Sequence, residues 1–336
     1  MNVYKDFYFI YVLTGTNYIL PVIQSFQFIP DDANVVILTN TPGVLKGINP
    51  KFNLIVADLE QYRDEWSRNN EQVLAIEDEQ TYVDELKKLW DKGYRYPMGI
   101  MRFGMKWAVD NNVSKFILVD SGCKIGYDVS SGSLKVLTTI ALEHFNRIGA
   151  IKNVIFGHPQ VDDFIDHIKL SIQVYGVFKE AIEKNIPEFN LDTYPLTYHL
   201  NNNDKQIGYC RFDGYCIGFW FHDISLIAKA FNFWNDSVKW AYDNRYIKGE
   251  QEMVVVEFEY ALSYMAALFS KYYNTIIAGH ESIIKHQYHP DSDFYNQQKL
   301  DIFRYGFKSA KTRSEFINLN RDLLSKFMDP KLIYNF

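Results

Sequence analysis

The sequence contains few cysteines and no long hydrophobic run. Its 336 residues include 3 cysteines, which are too few for a disulfide framework and are not spaced as zinc ligands. We therefore expect reduced thiols and a cytoplasmic protein. The apolar stretch at residues 7–13 is far shorter than the roughly 20 residues of a membrane-spanning helix. Residues 1–6 lack the basic and apolar regions of a signal peptide.

Arginine and net positive charge are scarce as well. The chain has 41 acidic and 35 basic residues, of which 10 are arginine, so its formal net charge is −6. An acidic chain lacks the overall positive field of a protein that coats DNA, although 25 lysines are enough for a local basic groove. With 47% apolar and 23% charged residues, the chain is able to bury a substantial core, which excludes general disorder.

Short apolar runs alternate with helical segments in the first 125 residues. The apolar residues within each run are nearly continuous, which is typical of strands buried on both faces of a parallel sheet. The predicted strands are 7–13, 35–38, 52–57 and 116–119, and the predicted helices are 18–28, 79–91 and 99–110. This β-α-β alternation predicts an α/β fold with a mostly parallel sheet flanked by helices.

The second half of the sequence is less regular. We predict helices at 133–147, 162–184 and 250–272, and strands at 153–156, 215–221 and 275–278. The dipeptide His158-Pro159 is predicted to break the structure after the strand at 153–156. There is no internal repeat, low-complexity tract or clean linker, which favours one compact unit followed by a C-terminal extension.

Polar residues follow the predicted parallel strands, at Thr14–Asn17, Asn40, Asp58 and Asp120. Ligands of open α/β sheets bind beyond the carboxyl ends of the strands, so these residues are candidates for a binding site. Asp120 is the strongest signal, because it directly follows the buried strand in FILVDSG. A carboxylate there is able to hold a divalent cation or accept a hydrogen bond from a ribose hydroxyl. The alternative is an aspartate that accepts hydrogen bonds from loop amides.

These segments resemble the nucleotide-sugar glycosyltransferases of the GT-A fold. IYVLTGTNY resembles the opening strand and nucleotide-binding loop of that family, and YPMGIMRFGMKWAVDN resembles its helix with a basic residue before the metal strand. KFILVDSG resembles the apolar strand that ends in an Asp-x-Asp motif. The resemblance covers residues 7–125 in order and is weaker up to residue 290. It implies an enzyme that transfers a sugar from a nucleotide-sugar donor, first of all a UDP-sugar, to an acceptor hydroxyl.

The resemblance also implies a division of the chain. A GT-A-like catalytic domain would span residues 1–290, with a nucleotide-binding half at 1–125 and an acceptor half at 126–290. A helical C-terminal extension would follow at 291–336.

The resemblance implies a set of residues that bind the nucleotide-sugar: Thr14, Gly15, Asn17, Asp58, Arg102, Asp120 and Gly214. Asp58 would receive the base or ribose. Arg102 would face the diphosphate, because a planar guanidinium pairs with phosphate oxygens; the alternative is a solvated charge on a helix. Gly214 would let a strand pass close to the donor sugar, and a bulge in the strand explains this glycine equally well.

A metal and a catalytic base are implied as well. Asp120 would be the first acid of the metal motif, but Gly122 replaces the second acid, so a Mn²⁺ or Mg²⁺ ion would lose one expected carboxylate ligand. Either another ligand substitutes for it, or the enzyme works without tight metal binding. Several GT-A families complete the metal site with a C-terminal histidine, and AGHESIIKHQYH resembles that region. His280 is our choice of ligand there, with a hydrogen-bonded surface role as the alternative. Glu250 or Glu252 would act as the base on the acceptor hydroxyl; the alternative is a favourable interaction with a helix dipole.

Two acceptors remain open. A glycan is the default by analogy with the fold. The second is a hydroxymethylated base in phage DNA. The bias toward Lys, Asn, Ile, Tyr and Phe is typical of an AT-rich genome, and some phages with such genomes glycosylate hydroxymethylated bases in their DNA. Such an enzyme would have to flip the base out of the duplex. The lysine-rich segment 299–331 would then contact DNA phosphates.

The second half is also rich in aromatic side chains that would either stack on sugars or fill the core. They are Tyr194, Tyr198, Phe219, Trp220, Trp234 and Trp240.

Two other functions compete with glycosyl transfer. A module that binds a nucleotide-sugar without turnover would explain the missing acid at Gly122. FILVDSG also resembles the nucleophile strand of haloacid-dehalogenase-type phosphatases, although the second aspartate of that motif is missing too.

Overall fold

The structure, a computed structural model, describes residues 4–13, 19–63, 81, 101–119, 123–125, 134–160, 179–189, 211–244, 259–279, 284–286, 321–322 and 325–329. The strands are β1 (Tyr8–Leu13), β2 (Asn34–Thr39), β3 (Asn53–Asp58), β4 (Lys115–Val119), β5 (Cys123–Ile125), β6 (Asn153–Gln160), β7 (Arg211–Trp220), β8 (Thr275–Gly279) and β9 (Ile284–His286). The helices are α1 (Ile19–Ser25), α2 (Arg102–Asp110), α3 (Leu134–Gly149), α4 (Ile224–Asn244) and α5 (Glu259–Tyr272). Residues 179–185 are also helical.

One mixed sheet organises the described part of the chain. Its seven strands lie in the order β3-β2-β1-β4-β7-β6-β8, while β5 and β9 form a separate two-stranded sheet. Strands β1 to β4 are parallel to one another, and β6 pairs in parallel with β8. Only β7 is antiparallel to its neighbours in the main sheet. The prediction of an α/β fold with a mostly parallel sheet is therefore confirmed.

The main sheet is covered on both faces, which explains why its central strands are continuously apolar. In β1, Phe9 and Tyr11 pack on the face covered by α1 and α3, whereas Ile10 packs on the face covered by α2, α4 and α5. All six residues of β2 are buried. The hydroxyl of Tyr11 lies 3.0 Å from Ser25 Oγ, so a hydrogen bond joins β1 to the end of α1.

Helix α4, 21 residues long, is absent from the predicted elements. Asp223 caps it by accepting hydrogen bonds from the backbone N–H of Ser225 at 2.8 Å and from its hydroxyl at 2.6 Å. These bonds lower the pKa of the Asp223 carboxyl. The fully buried residues of α4 recur every three or four positions, as expected for one face of a helix: Ile227, Ala230, Phe233, Trp234 and Ser237. The helix was therefore detectable from an aspartate before a helical apolar pattern.

One prediction of the second half is wrong. Strand β6 does not end before His158-Pro159 but continues to Gln160, with a register shift between Gly157 and Pro159 that accommodates the proline. For three of the aromatic residues the core alternative is confirmed, since at most 3% of their surface is exposed: Phe219, Trp220 and Trp234.

The C-terminal residues that are described pack against the first half of the chain. The backbone N–H of Asn49 donates a hydrogen bond to the carbonyl of Phe327 at 2.9 Å. The ring of Phe327 meets that of Phe26 edge-on at 5.8 Å, and Met328 is buried in the same layer. The predicted extension at 291–336 and the predicted domain division stay predictions. Among the described helices, none combines the length and apolarity needed to cross a membrane.

Candidate functional site

The order of strands creates a switch point between β1 and β4. The chain adds β2 and β3 on one side of β1, then returns to add β4 on the other side. In the register of the sheet, Leu13 pairs with Thr39 and Thr39 with Asp58, while Val119 pairs with Tyr11. The carboxyl ends of these four strands therefore lie along one edge. Open α/β sheets bind ligands in the crevice at such a point.

Most of the predicted site residues lie outside the described residues. Thr14 directly follows the end of β1, and Asp120 directly follows the end of β4, so the two strands beside the switch point lead into the predicted loops. The predicted site residues that the structure does not describe are Thr14, Gly15, Asn17, Asp120, Glu250, Glu252 and His280. Their roles stay predictions.

Helix α2 begins near the carboxyl end of β1. The helix runs antiparallel to β1, because Gly104 lies over Ile10 and Val12 whereas Trp107 lies near Tyr8. A Cβ at Gly104 would stand 3.2 Å from Val12 Cγ2, close to the carboxyl end of β1. Arg102 lies two residues before Gly104 and is therefore close to the same end of the strand. The glycine allows this close approach of helix and sheet.

The guanidinium of Arg102 is buried, with 1% of the residue exposed. Its Nε donates a hydrogen bond to Asn235 Oδ1 of α4 at 3.1 Å, and its Cζ lies 4.4 Å from the centre of the Phe103 ring. A cation at this distance from a ring is within the range of cation–π attraction. The alternative of a solvated helix charge is therefore wrong for Arg102. A contact with a diphosphate stays a prediction.

Asp58 lies at the predicted edge, which the carboxyl ends of the parallel strands form, but far from the switch point. It is the last residue of β3, two strands from β1, or about 10 Å by ordinary strand spacing. Its exposed carboxylate accepts a hydrogen bond from the backbone N–H of Glu60 at 2.9 Å and so caps a single 3₁₀ turn. Its described contact is thus that of a capping aspartate, and a role for it in binding base or ribose stays a prediction.

Gly214 lies in β7 where the strand changes register. Cys216 is the partner of Val119, so Gly214 lies two residues beyond the end of β4, at the same edge of the sheet. The pairing of β7 with β6 changes between its partners Ile217 and Phe212. This irregularity supports the bulge explanation for the glycine, while its proximity to a donor sugar stays a prediction.

The two-stranded sheet joins segments that are far apart in sequence. Strand β5 begins three residues after Asp120, and β9 begins four residues after His280. Their pairing places Cys123 opposite His286 and Lys124 opposite Lys285. This sheet is absent from the predicted elements. It brings the chain that follows Asp120 beside the histidine-containing segment.

A second group of polar side chains lies at the opposite edge of the sheet. The hydroxyl of Tyr273, two residues before β8, donates a hydrogen bond to Glu188 Oε2 at 2.5 Å, and Lys229 Nζ lies 5.0 Å from the centre of its ring. Burial, and then the bond to Glu188, raises the pKa of Tyr273, and the same bond lowers the pKa of Glu188. Because β8 is parallel to β6 and β4, this group lies away from the switch point and attaches residues 179–189 to the fold.

Replacing Tyr273 with phenylalanine is expected to raise the pKa of Glu188 toward its ordinary value, because the hydrogen bond from Tyr273 is the main cause of the lowering. A lowered carboxyl pKa contributes stability above the unfolded pKa of about 4.3, and that contribution disappears as the pH falls through the folded pKa. The stability difference between wild type and Tyr273→Phe should therefore shrink on acidification. NMR titration of Glu188 and urea unfolding at several pH values measure both effects; an unchanged Glu188 pKa would contradict the assignment.

Comparison with protein-family models gives no match for this chain. Comparison with curated protein sequences gives no match either. Within the described residues there is no group of three or more His, Cys, Asp or Glu side chains arranged to hold a metal ion, and the predicted ligands Asp120 and His280 are not among those residues.

Proposed function

We propose that this protein is a GT-A-like glycosyltransferase, which transfers a sugar from a nucleotide-sugar donor, first of all a UDP-sugar, to a hydroxyl of its acceptor. The observation that carries the proposal is the switch point between β1 and β4, with the buried Arg102 beside it. Open α/β sheets bind their ligands, nucleotides among them, at this position. The segments that start at Thr14 and Asp120 follow the two strands that border it.

The charges expected at the switch point suit a nucleoside diphosphate. Arginine remains protonated in proteins, and its planar guanidinium presents several N–H donors to phosphate oxygens. Arg102 lies close to the carboxyl ends of β1 and β4, where the diphosphate of a nucleotide on this sheet would lie. Its charge would stabilise the diphosphate as it leaves with both electrons of the broken glycosidic bond.

The pairing of β5 with β9 supports a divalent-ion site formed by Asp120 and His280. Asp120 follows β4, His280 follows β8, and the pairing of β5 with β9 connects the segments after them. A carboxylate, an imidazole and phosphate oxygens suit Mn²⁺, and Mg²⁺ is the alternative. When bound, such an ion would neutralise negative charge on the diphosphate. Since Gly122 supplies no second carboxylate, we propose His280 as the replacement.

The transfer itself needs one proton acceptor. The acceptor hydroxyl oxygen forms a bond to the anomeric carbon, the bond from that carbon to the phosphate oxygen breaks, and the hydroxyl proton passes to a base. We propose Glu250 or Glu252 as this base, as in the inverting enzymes that the sequence resembles. A glycan and a hydroxymethylated base in DNA are the two acceptors proposed, with the lysines of segment 299–331 as phosphate contacts in the second case.

The proposal predicts metal-dependent release of UDP. The purified protein is incubated with a panel of UDP-sugars and Mn²⁺, with and without glycan or hydroxymethylated DNA, and UDP is measured. We expect at least one donor to release UDP, and EDTA to suppress that release.

Each competing function predicts a different result. A donor that binds but releases no UDP with any acceptor would favour a nucleotide-sugar-binding module. Release of phosphate from a phosphate monoester, without release of UDP from any donor, would favour the phosphatase.

A further inference from the structure

Strand β3 forms one edge of the main sheet in the part of the chain that the structure describes, where β2 is its only neighbour. None of its six residues is buried: three are exposed and three are half-buried. Val56, in the middle of the strand, has 38% of its surface exposed. All six residues of the adjacent β2 are buried, so solvent reaches β3 from its outer side.

The pairing of β3 with β2 shows which backbone groups face outward. The backbone N–H of Asn53 donates a hydrogen bond to the carbonyl of Ala33 at 3.1 Å, so Asn53 and every second residue after it direct their N–H and C=O groups toward β2. The residues between them, Leu54 and Val56, direct theirs to the outer side. Within the described residues, no backbone hydrogen bond reaches that side. Such a row of N–H and C=O groups is able to pair with a strand of another molecule.

The sequence of β3 favours such pairing. Proteins usually protect an exposed edge strand with a lysine, a proline or a bulge. Residues 54–57 (LIVA) are all apolar, and the register of β3 with β2 is continuous. Charges lie only at the two ends and differ in sign: Lys51 precedes the strand, with 81% of its side chain exposed, whereas the exposed Asp58 and Glu60 lie at the other end.

We propose that β3 pairs with β3 of a second copy of this protein, in antiparallel direction about a two-fold axis, so that the main sheets of the two copies form one continuous sheet. A two-fold axis brings the lysine end of each strand beside the acidic end of the other, which makes the edge complementary to itself. Backbone hydrogen bonds and the apolar residues 54–57 supply the affinity. This inference does not depend on the proposed function.

The dimer is tested by sedimentation velocity at protein concentrations from about 1 to about 100 μM. Because two short strands form a small interface, we expect a dissociation constant of the order of 10 μM. Val56→Lys should weaken the dimer at least about tenfold, since it places a lysine of each copy in the apolar centre of the pairing. The matched control is Ile151→Lys, at a residue that is 77% exposed and precedes β6, far from β3 in the sheet; it should change the constant less than about threefold. A monomer at every concentration, or equal dimerisation of Val56→Lys and wild type, overturns the inference.

Charge reversal tests the antiparallel arrangement. Lys51→Glu and Glu60→Lys each bring like charges together across the interface and should each weaken the dimer about threefold or more. The double variant restores opposite charges and should dimerise within about twofold of wild type. Lost contacts of Lys51 with Asp31 and of Glu60 with Arg63 within one copy do not explain such a restoration, because both remain broken in the double variant. If the double variant dimerises no better than the single ones, the arrangement is wrong.

Hydrogen exchange identifies the strand that pairs with β3, and it needs no variant. The backbone amides of Leu54 and Val56 should exchange more slowly in concentrated, dimeric protein than after dilution to the monomer. Slow exchange of these amides in a protein that is monomeric at every concentration would mean that another segment of the same chain covers β3, which overturns the inference.

Discussion

Replacing Asp120 with asparagine is expected to lower the rate of UDP release from the donor by about 100-fold. The proposed role of Asp120 depends on its negative charge, because with Gly122 in place of the second acid it is the motif's only carboxylate. Asparagine keeps the shape of the side chain and its carbonyl oxygen. The alternative role, capping of loop amides, therefore survives the change, since asparagine caps about as well as aspartate. UDP release and the unfolding temperature separate the two roles.

The control for this experiment is Asp110→Asn. Asp110 ends α2, where its exposed carboxylate pairs with Lys106 one turn earlier. Such surface pairs contribute between 0 and about 1 kcal/mol, so UDP release should stay within about twofold of wild type. If Asp120→Asn and Asp110→Asn both retain wild-type turnover, Asp120 is a capping residue and the proposed metal site is wrong.

Replacing Gly218 with alanine is expected to destabilise the protein by about 3 kcal/mol, at the upper end of the usual cost of overpacking. Gly218 of β7 lies directly opposite Phe156 of β6, and the ring of Phe156 covers the glycine. A Cβ on Gly218 would stand 2.1 Å from Phe156 Cζ. The ring is fully buried and stacks on Phe145, with 4.4 Å between ring centres, so it has little room to move. Urea unfolding measures the loss.

Gly43→Ala provides the matched control for the change at Gly218. Gly43 lies in a 3₁₀ turn after β2, and a Cβ there would meet no atom within 4 Å. The free energy of unfolding of the Gly43→Ala variant should therefore stay within about 0.5 kcal/mol of wild type. Equal stability of the two variants would mean that the Phe156 ring rearranges without cost, contrary to the tight packing of this layer.

The fold was largely predictable where burial leaves a pattern in the sequence. Strands β1, β2 and β4 are buried on both faces, and their continuous apolar residues predicted them to within one residue at each end. The reversed direction of β7 was not predictable, because side-chain periodicity is the same in parallel and antiparallel strands. Strands β5 and β9 have only three residues each and come from distant segments, so they leave no pattern of their own.

The candidate site was predictable only in part. The aspartate after an apolar strand pointed to the carboxyl edge, and the four parallel strands confirm that such an edge exists. The burial of Arg102 was not foreseen, because a single arginine on a helix carries no sign of the helix that will cover it. The contact of Asn235 with Arg102 was not predicted for the same reason, because it joins two helices that are far apart in sequence.

The contact of Phe327 with the first half has a consequence for synthesis on the ribosome. The ring of Phe327 packs on Phe26, about 300 residues earlier, and Met328 completes the same buried layer. At ordinary elongation rates roughly 15–60 s pass between the emergence of these partners. During that time the layer beneath α1 lacks these side chains and exposes apolar surface, which a chaperone is able to bind until Phe327 and Met328 have emerged.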